Sequence, residues 1–159
     1  MSMVIDPDAA AYGVFQIAFA TMDTRLSRSL VALCRCKNDR LTFDILRRMP
    51  FGRRLDTLQK AIKAAPPEMQ RDLEIQKLSQ ACDLAEDIQE WRNRRIHAEV
   101  RFHENQPVLV DGNGRPLEIN REACEQKIRD AIRAGIAMET AIPHLVAYEL
   151  DLGELAPEP

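Results

Sequence analysis

The stretch Trp91-Arg92-Asn93-Arg94-Arg95-Ile96-His97-Ala98-Glu99 holds the residues best suited to chemistry. Leu78, Ala85 and Arg92 recur every seven residues and therefore share one stripe of a helix. Arg92 thus places a permanent charge on a stripe that is otherwise apolar, where an unpaired guanidinium costs several kcal/mol. A carboxylate such as Glu86, a residue on the last helix, a solvent-filled cleft or an anionic ligand has to meet it. Asn93 and His97 are four residues apart, hence neighbours on one side of the same helix. His97 falls at the helix C-terminus, where the dipole favours an imidazolium. An Arg, an Asn and a His converging on one cleft suit phosphodiester chemistry. The imidazole moves a proton near neutral pH, and the guanidinium holds the phosphate and stabilises a five-coordinate phosphorane. RNA brings its own nucleophile, the 2′-hydroxyl, so such a site is expected to cut RNA by internal transesterification without a metal or other cofactor.

Arg92-Asn93-x-x-x-His97 resembles the R-x(4–6)-H motif, in its RN-x-x-x-H form, of the HEPN superfamily. These are small helical proteins, many of them metal-independent ribonucleases of toxin–antitoxin and other defence systems. The likeness extends to the order of elements: the motif ends a long helix late in the chain, a hairpin follows, and a terminal helix closes the bundle. The first helix, from Gly13 to Leu26, is also similar to that of an uncharacterised bacterial HEPN-like group, whose members often carry Gly after the His where this chain has Ala98. The resemblance implies that Arg92 binds and polarises the phosphate, that His97 transfers protons and that Asn93 orients the site. It implies a homodimer with two motifs facing a shared cleft, an RNA substrate, and an antitoxin or other protein as partner. Arg94, Arg95 and Arg101 would line the RNA path. Some members of the superfamily are not nucleases, so the alternative is a non-catalytic dimerisation or partner-binding module.

The elements that must position these residues are mostly helical. Asp6-Pro7 reads as an N-cap with proline in the first turn. A helix to about Cys36 follows, with Val14, Phe15, Ala18, Phe19, Met22, Leu26, Leu30 and Leu33 on one face. Ala9, Ala10, Ala11, Gly13, Ala18 and Ala20 make its first half unusually small, which suits close packing inside the chain or between subunits. A short helix from Thr42 stops before Pro50, and a third spans about 52–64 with Leu55, Leu58 and Ile62 inward. Pro66-Pro67 breaks the chain. One long helix is expected from about 68 to 96, with a stripe of Leu78, Ala81, Cys82, Ala85 and Ile88 and then Arg92 and Ile96. Val100 to His103 and Val108 to Val110 alternate, and Asp111-Gly-Asn-Gly114 is a strong turn signal, so 99–119 reads as a β-hairpin with a three-stranded look. Asn120 caps a last helix with Cys124, Ile128, Ile132, Ile136 and Leu145 as its apolar side, and Gly135 and Pro143 are expected to bend or split it. The fold class is mainly α: a four- to five-helix bundle with a small β-hairpin between the last two long helices. It forms a single domain over 1–152, and 153–159 is a frayed tail.

Composition sets the bounds. The 159 residues suit one domain, and the formal net charge of −3 argues against coating nucleic acid by bulk charge. An RNA site would need local focusing by arginine, which supplies 17 of the 22 basic residues. Arg47, Arg48, Arg53 and Arg54 read as solvated helix faces. The segment 9–22 is too short to span a bilayer, and the N-terminus lacks the pattern of a secretion signal, so a cytoplasmic protein with no membrane partner is expected. Cys34, Cys36, Cys82 and Cys124 lack metal-ligand spacing, and Cys82 and Cys124 read as small buried hydrophobes. Trp91 reads as a core or interface anchor, and His103 and His144 as surface or packing residues.

Overall fold

The computed structural model describes residues 7–34, 39–103, 106–117 and 119–148, without the side chains of 103, 106 and 107. The expected cap at Asp6, the end of the first helix at Cys36, the side chain of His103 and the tail 153–159 lie outside the described residues. Six helices and one hairpin follow in the order α1 (Pro7–Cys34), α2 (Asp39–Arg48), α3 (Phe51–Lys63), α4 (Pro67–Arg71), α5 (Leu73–Ile96), β1 (Glu99–His103), β2 (Gln106–Val110) and α6 (Arg121–Ala147). The mainly α class and the hairpin between the last two long helices are as the hydrophobic patterning predicts.

One core joins α1, α3, α5 and α6. From α1 it takes Phe15, Phe19, Met22, Leu26, Leu30 and Leu33; from α3, Leu55, Leu58 and Ile62; and from α5, Ile75, Leu78, Cys82, Ala85 and Ile88. Each fully buried Leu, Ile, Phe or Met contributes about 1.5–3 kcal/mol relative to exposure. α1 and α6 lie side by side and run parallel. Near their N-termini the Arg121 N–H donates to Asp8 Oδ1 at 2.8 Å, and further along Ser29 Oγ donates to the Met138 carbonyl at 3.1 Å. Gly135 permits the close crossing: a Cβ there would lie 3.6 Å from Met22 Cα and 3.0 Å from Arg25 Nη1.

Four local expectations are corrected. The second helix begins at Asp39, not Thr42. The long helix expected from 68 to 96 is two helices, because Asp72 is extended (φ −66°, ψ 125°) and its carboxylate accepts the Glu74 N–H, starting α5 with a side-chain cap. α6 passes through Gly135 and Pro143 as one helix. Buried Ala141 and Leu145, on either side of Pro143, hold the chain against the core where the proline removes a hydrogen bond. The face of α6 also differs. Cys124 and Leu145 are buried as expected, but the core takes Ala131, Ala134, Gly135, Met138 and Ala141 between them. Ile132 and Ile136 face outward, and Ile128 is half-buried. Small residues let α6 approach its neighbours closely, and that gain in packing outweighs burying the larger isoleucines.

The hairpin pairs β1 and β2 antiparallel, with Glu99 opposite Val110 and Arg101 opposite Val108. The turn signal at Asp111-Gly-Asn-Gly114 lies after β2 rather than between the strands. Asp111 Oδ1 accepts the N–H groups of Asn113 and Arg115 at 2.9 Å each, and Gly114 takes φ 77°, a conformation that favours glycine. The chain then folds back through a Val110–Pro116 bridge, which gives the three-stranded look. The Asn120 side chain accepts the Ala123 N–H at 2.8 Å and starts α6.

Candidate functional site

α5 carries the motif at its C-terminal end. The helix stops at His97 (φ −97°, ψ 14°), whose N–H reaches back to the Arg95 and Asn93 carbonyls in a tightened final turn. Trp91 anchors this end to α1. Its ring meets Phe15 edge-on with centroids 4.8 Å apart and Tyr12 at 6.3 Å, as expected of an anchor.

Arg92 points toward α1. Its Nε donates to Gln16 Oε1 at 3.0 Å, and its guanidinium carbon stands 4.4 Å from the centre of the Phe19 ring. The side chain is half-buried. Among the described residues no carboxylate pairs with it, so the ion pair with Glu86 or with the last helix that the stripe position suggests is not formed. An amide oxygen and an aromatic face satisfy the geometry of the guanidinium but leave its charge uncompensated. Asn93 and His97 are exposed, and among the described residues neither side chain makes a hydrogen bond or an ion pair. Side chains five positions apart leave a helix roughly 140° apart, so Arg92 and His97 share the helix end but leave it in different directions.

The three further arginines have separate surroundings. Exposed Arg94 forms an ion pair with Glu90 one turn earlier. Arg101, on β1, lies 3.3 Å from Glu99 and reaches the turn, where a Cβ on Gly114 would stand 3.4 Å from its Nη1. Arg95 stacks on Trp91 at 3.7 Å and donates to the Trp91 carbonyl at 3.0 Å, and burial lowers its pKa from the usual arginine value. Exposed pairs of this kind contribute under about 1 kcal/mol, so a phosphate can exchange for either carboxylate at little cost. Phe102, next along β1 from Arg101, presents an exposed ring.

Gln16 and Phe19 are the site residues that sequence reasoning missed. Their signal was weak: Gln16 is the single strongly polar side chain in a run with no charge from Ala9 to Met22. The other arginine cluster divides. Arg54 is only 2% exposed, so its reading as part of a solvated face is corrected. It lies 2.5 Å from Asp23, donates to Ser27 Oγ at 2.5 Å and to the Met49 carbonyl at 3.1 Å, and clamps α3 to α1. Arg47, Arg48 and Arg53 are exposed, as expected. His144 is tied to Asp72, with Nδ1 2.8 Å from Oδ2, and joins the end of α6 to the start of α5. Cys82 and Cys124 are buried as expected, and burial pushes the Cys82 thiol up to about 12.

A groove between two helices lies away from the motif. It holds about 640 Å³ between α5 and α6 and is lined by residues including Lys77, Ala81, Leu84, Arg133, Ile136 and Ala137. No helix of the described residues is long and apolar enough to cross a membrane. No family model, curated protein or solved structure matches this chain.

Proposed function

We propose that this chain is a HEPN-like, metal-independent endoribonuclease acting at a homodimeric Arg/His site. The observation that carries the reading is Arg92, a half-buried guanidinium held by Gln16 and Phe19 with no carboxylate paired to it among the described residues, at the same helix end as exposed Asn93 and His97. A cation fixed by neutral partners keeps its charge for a phosphate and loses little side-chain entropy on binding one. In the reaction His97 removes the 2′-hydroxyl proton, and the 2′-oxygen attacks the adjacent phosphorus. Arg92 stabilises the added negative charge. The bond to the 5′-oxygen breaks, that oxygen takes up a proton, and a 2′,3′-cyclic phosphate and a 5′-hydroxyl result. Arg94, Arg95 and Arg101 line the approach, and the exposed Phe102 ring offers a face on which an unpaired base stacks.

The test is cleavage of single-stranded RNA with and without chelator by the wild type, Arg92→Ala and His97→Ala. Chelator-resistant cutting lost in both folded variants supports the proposal, and equal cutting by all three overturns it. A second reading, a non-catalytic module, draws on the same Arg92 contacts, since a side chain engaged with α1 also serves as a helix-to-helix peg. Its signature is intact folding and association with no cleavage to lose.

A further inference from the structure

One polar group beside the motif has no part in the proposed reaction. Tyr12 lies on α1 one turn before Gln16, the residue that holds Arg92. Its ring packs against Phe15, with centroids 5.9 Å apart, and against Trp91 at 6.3 Å, on whose face Arg95 stacks. Tyr12 is half-buried, but its hydroxyl oxygen is shut off from solvent and makes no hydrogen bond among the described residues. A buried hydroxyl without a partner carries a desolvation cost that nothing offsets, so such groups are rare and point to a water, ion or ligand that completes them.

The surroundings decide which. Gln16 is the neighbour one turn along, yet its Oε1 is engaged by Arg92 Nε at 3.0 Å, which leaves its amide N–H groups, and these only donate. Burial raises the pKa of the Tyr12 hydroxyl. The Gln16 side chain, near it but outside hydrogen-bond geometry, and the positive charges of Arg92 and Arg95 draw it down. The hydroxyl thus sits in the field of two cations, among groups that are donors. Among the described residues no carboxylate pairs with Arg92 or accepts from Tyr12. The group in want is an acceptor, and the positive field favours one that is negatively charged. A water that accepts from Tyr12 has two protons of its own to place where donors prevail. A phosphate oxygen has none.

We propose that the Tyr12 hydroxyl is a further phosphate-binding group of this site, donating to an oxygen that Arg92 and Arg95 also hold. Such a bond is charge-assisted and strengthens as the oxygen gains charge. The donors come from α1 and α5, which Phe15 and Trp91 lock together, so they are positioned before the anion arrives. Gln16, Arg92 and Arg95 are long and half-buried, and rotation of one side chain opens the hydroxyl to an anion with no movement of the backbone. That the phosphate belongs to RNA rests on the proposed function; the anion site does not.

The first probe is inorganic phosphate. It replaces chloride at constant ionic strength while the full chain is melted, because an anion that binds the folded state raises the melting temperature. The wild type is expected to gain. Tyr12→Phe keeps the ring and its packing; it is expected to melt no earlier than the wild type in chloride and to bind phosphate about 10–100-fold more weakly, the loss of one hydrogen bond to a charged group. Tyr148→Phe is the contrast: its hydroxyl donates to Asp72 Oδ2 at 3.2 Å, so it is expected to melt earlier with the phosphate response intact. The second probe is RNA cleavage, which tells a phosphate within a chain from a free one: kcat is expected to fall about 10²-fold in Tyr12→Phe. A wild type that responds to phosphate no more than to chloride, or a Tyr12→Phe chain that responds like the wild type, overturns the inference. So does a Tyr12→Phe chain that melts early in chloride, because the hydroxyl then has its partner within the fold. Phosphate binding that needs Tyr12, in a chain that cuts no RNA, leaves the anion site standing and removes the nuclease. Undiminished cleavage by a Tyr12→Phe chain with weakened phosphate binding leaves the nuclease standing and makes the Tyr12 site one for free phosphate.

Discussion

Replacing Arg92 and His97 in turn separates a catalytic pair from a structural peg, because the two residues differ in what they hold. Arg92→Met keeps most of the aliphatic stem and removes the charge. It loses the Nε–H bond to Gln16, about 0.5–1.5 kcal/mol, and the cation over Phe19, about 0.5–2 kcal/mol. A total near 2 kcal/mol lowers the melting temperature of a chain this size by about 4–8 °C. His97→Ala removes an exposed side chain with no partner among the described residues, and its effect on stability stays within about 0.5 kcal/mol. On cleavage the two converge: loss of the phosphate-binding charge costs about 10²–10³-fold and loss of the proton-transfer group about 10²–10⁴-fold. The assay is a thermal melt of each variant beside single-turnover RNA cleavage well below the lowest melting temperature. A His97→Ala chain that cuts at the wild-type rate refutes the role of His97. An Arg92→Met chain that melts early but cuts normally makes Arg92 a link between α5 and α1 and nothing more.

Arg54→Leu leaves the Asp23 carboxylate half-buried without its cation, and a loss of about 3–5 kcal/mol in chemical denaturation is expected; an unchanged midpoint would show that the clamp between α3 and α1 contributes no net stability. Asp72 holds its carboxyl below the usual aspartate range, first through the hydrogen bond with His144 and also through the Glu74 N–H. A depressed carboxylate stabilises the fold above its unfolded value and loses that contribution as pH falls through the folded value. Melting temperature should therefore drop more steeply below about pH 4 in the wild type than in Asp72→Asn, which keeps a capping oxygen but no charge; parallel acid limbs would count against it. The Cys82 thiol, pushed up to about 12 by burial, should resist iodoacetamide in the native state at pH 8 while half-buried Cys34 reacts ahead of it, as read by peptide mass spectrometry.

Much of the fold was legible because its signals are local. Three- and four-residue spacing along α1, α3 and α5 named most of the side chains that are buried there, although Val14 and Ile96, expected on the same stripes, are exposed because no helix covers those edges, and Asn120 marked the start of α6. Asp72 was the local signal passed over: a capping residue just after Pro66-Pro67 separates α4 from α5, but the run of helix-favouring residues around it hid the break. The position of the motif at the end of a helix was legible on the same grounds.

The sequence by itself determined the long helices in outline, the hairpin, and the placing of Arg92, Asn93 and His97 at one helix end, since capping, turn chemistry and periodicity act within a few residues. Tertiary structure alone decided that Arg92 meets Gln16, 76 residues away, that Arg54 is buried against Asp23, and that α6 turns alanine inward and isoleucine outward. Such choices depend on the shape of a neighbouring helix, and a hydrophobic pattern records only that a face is apolar, not which partner covers it.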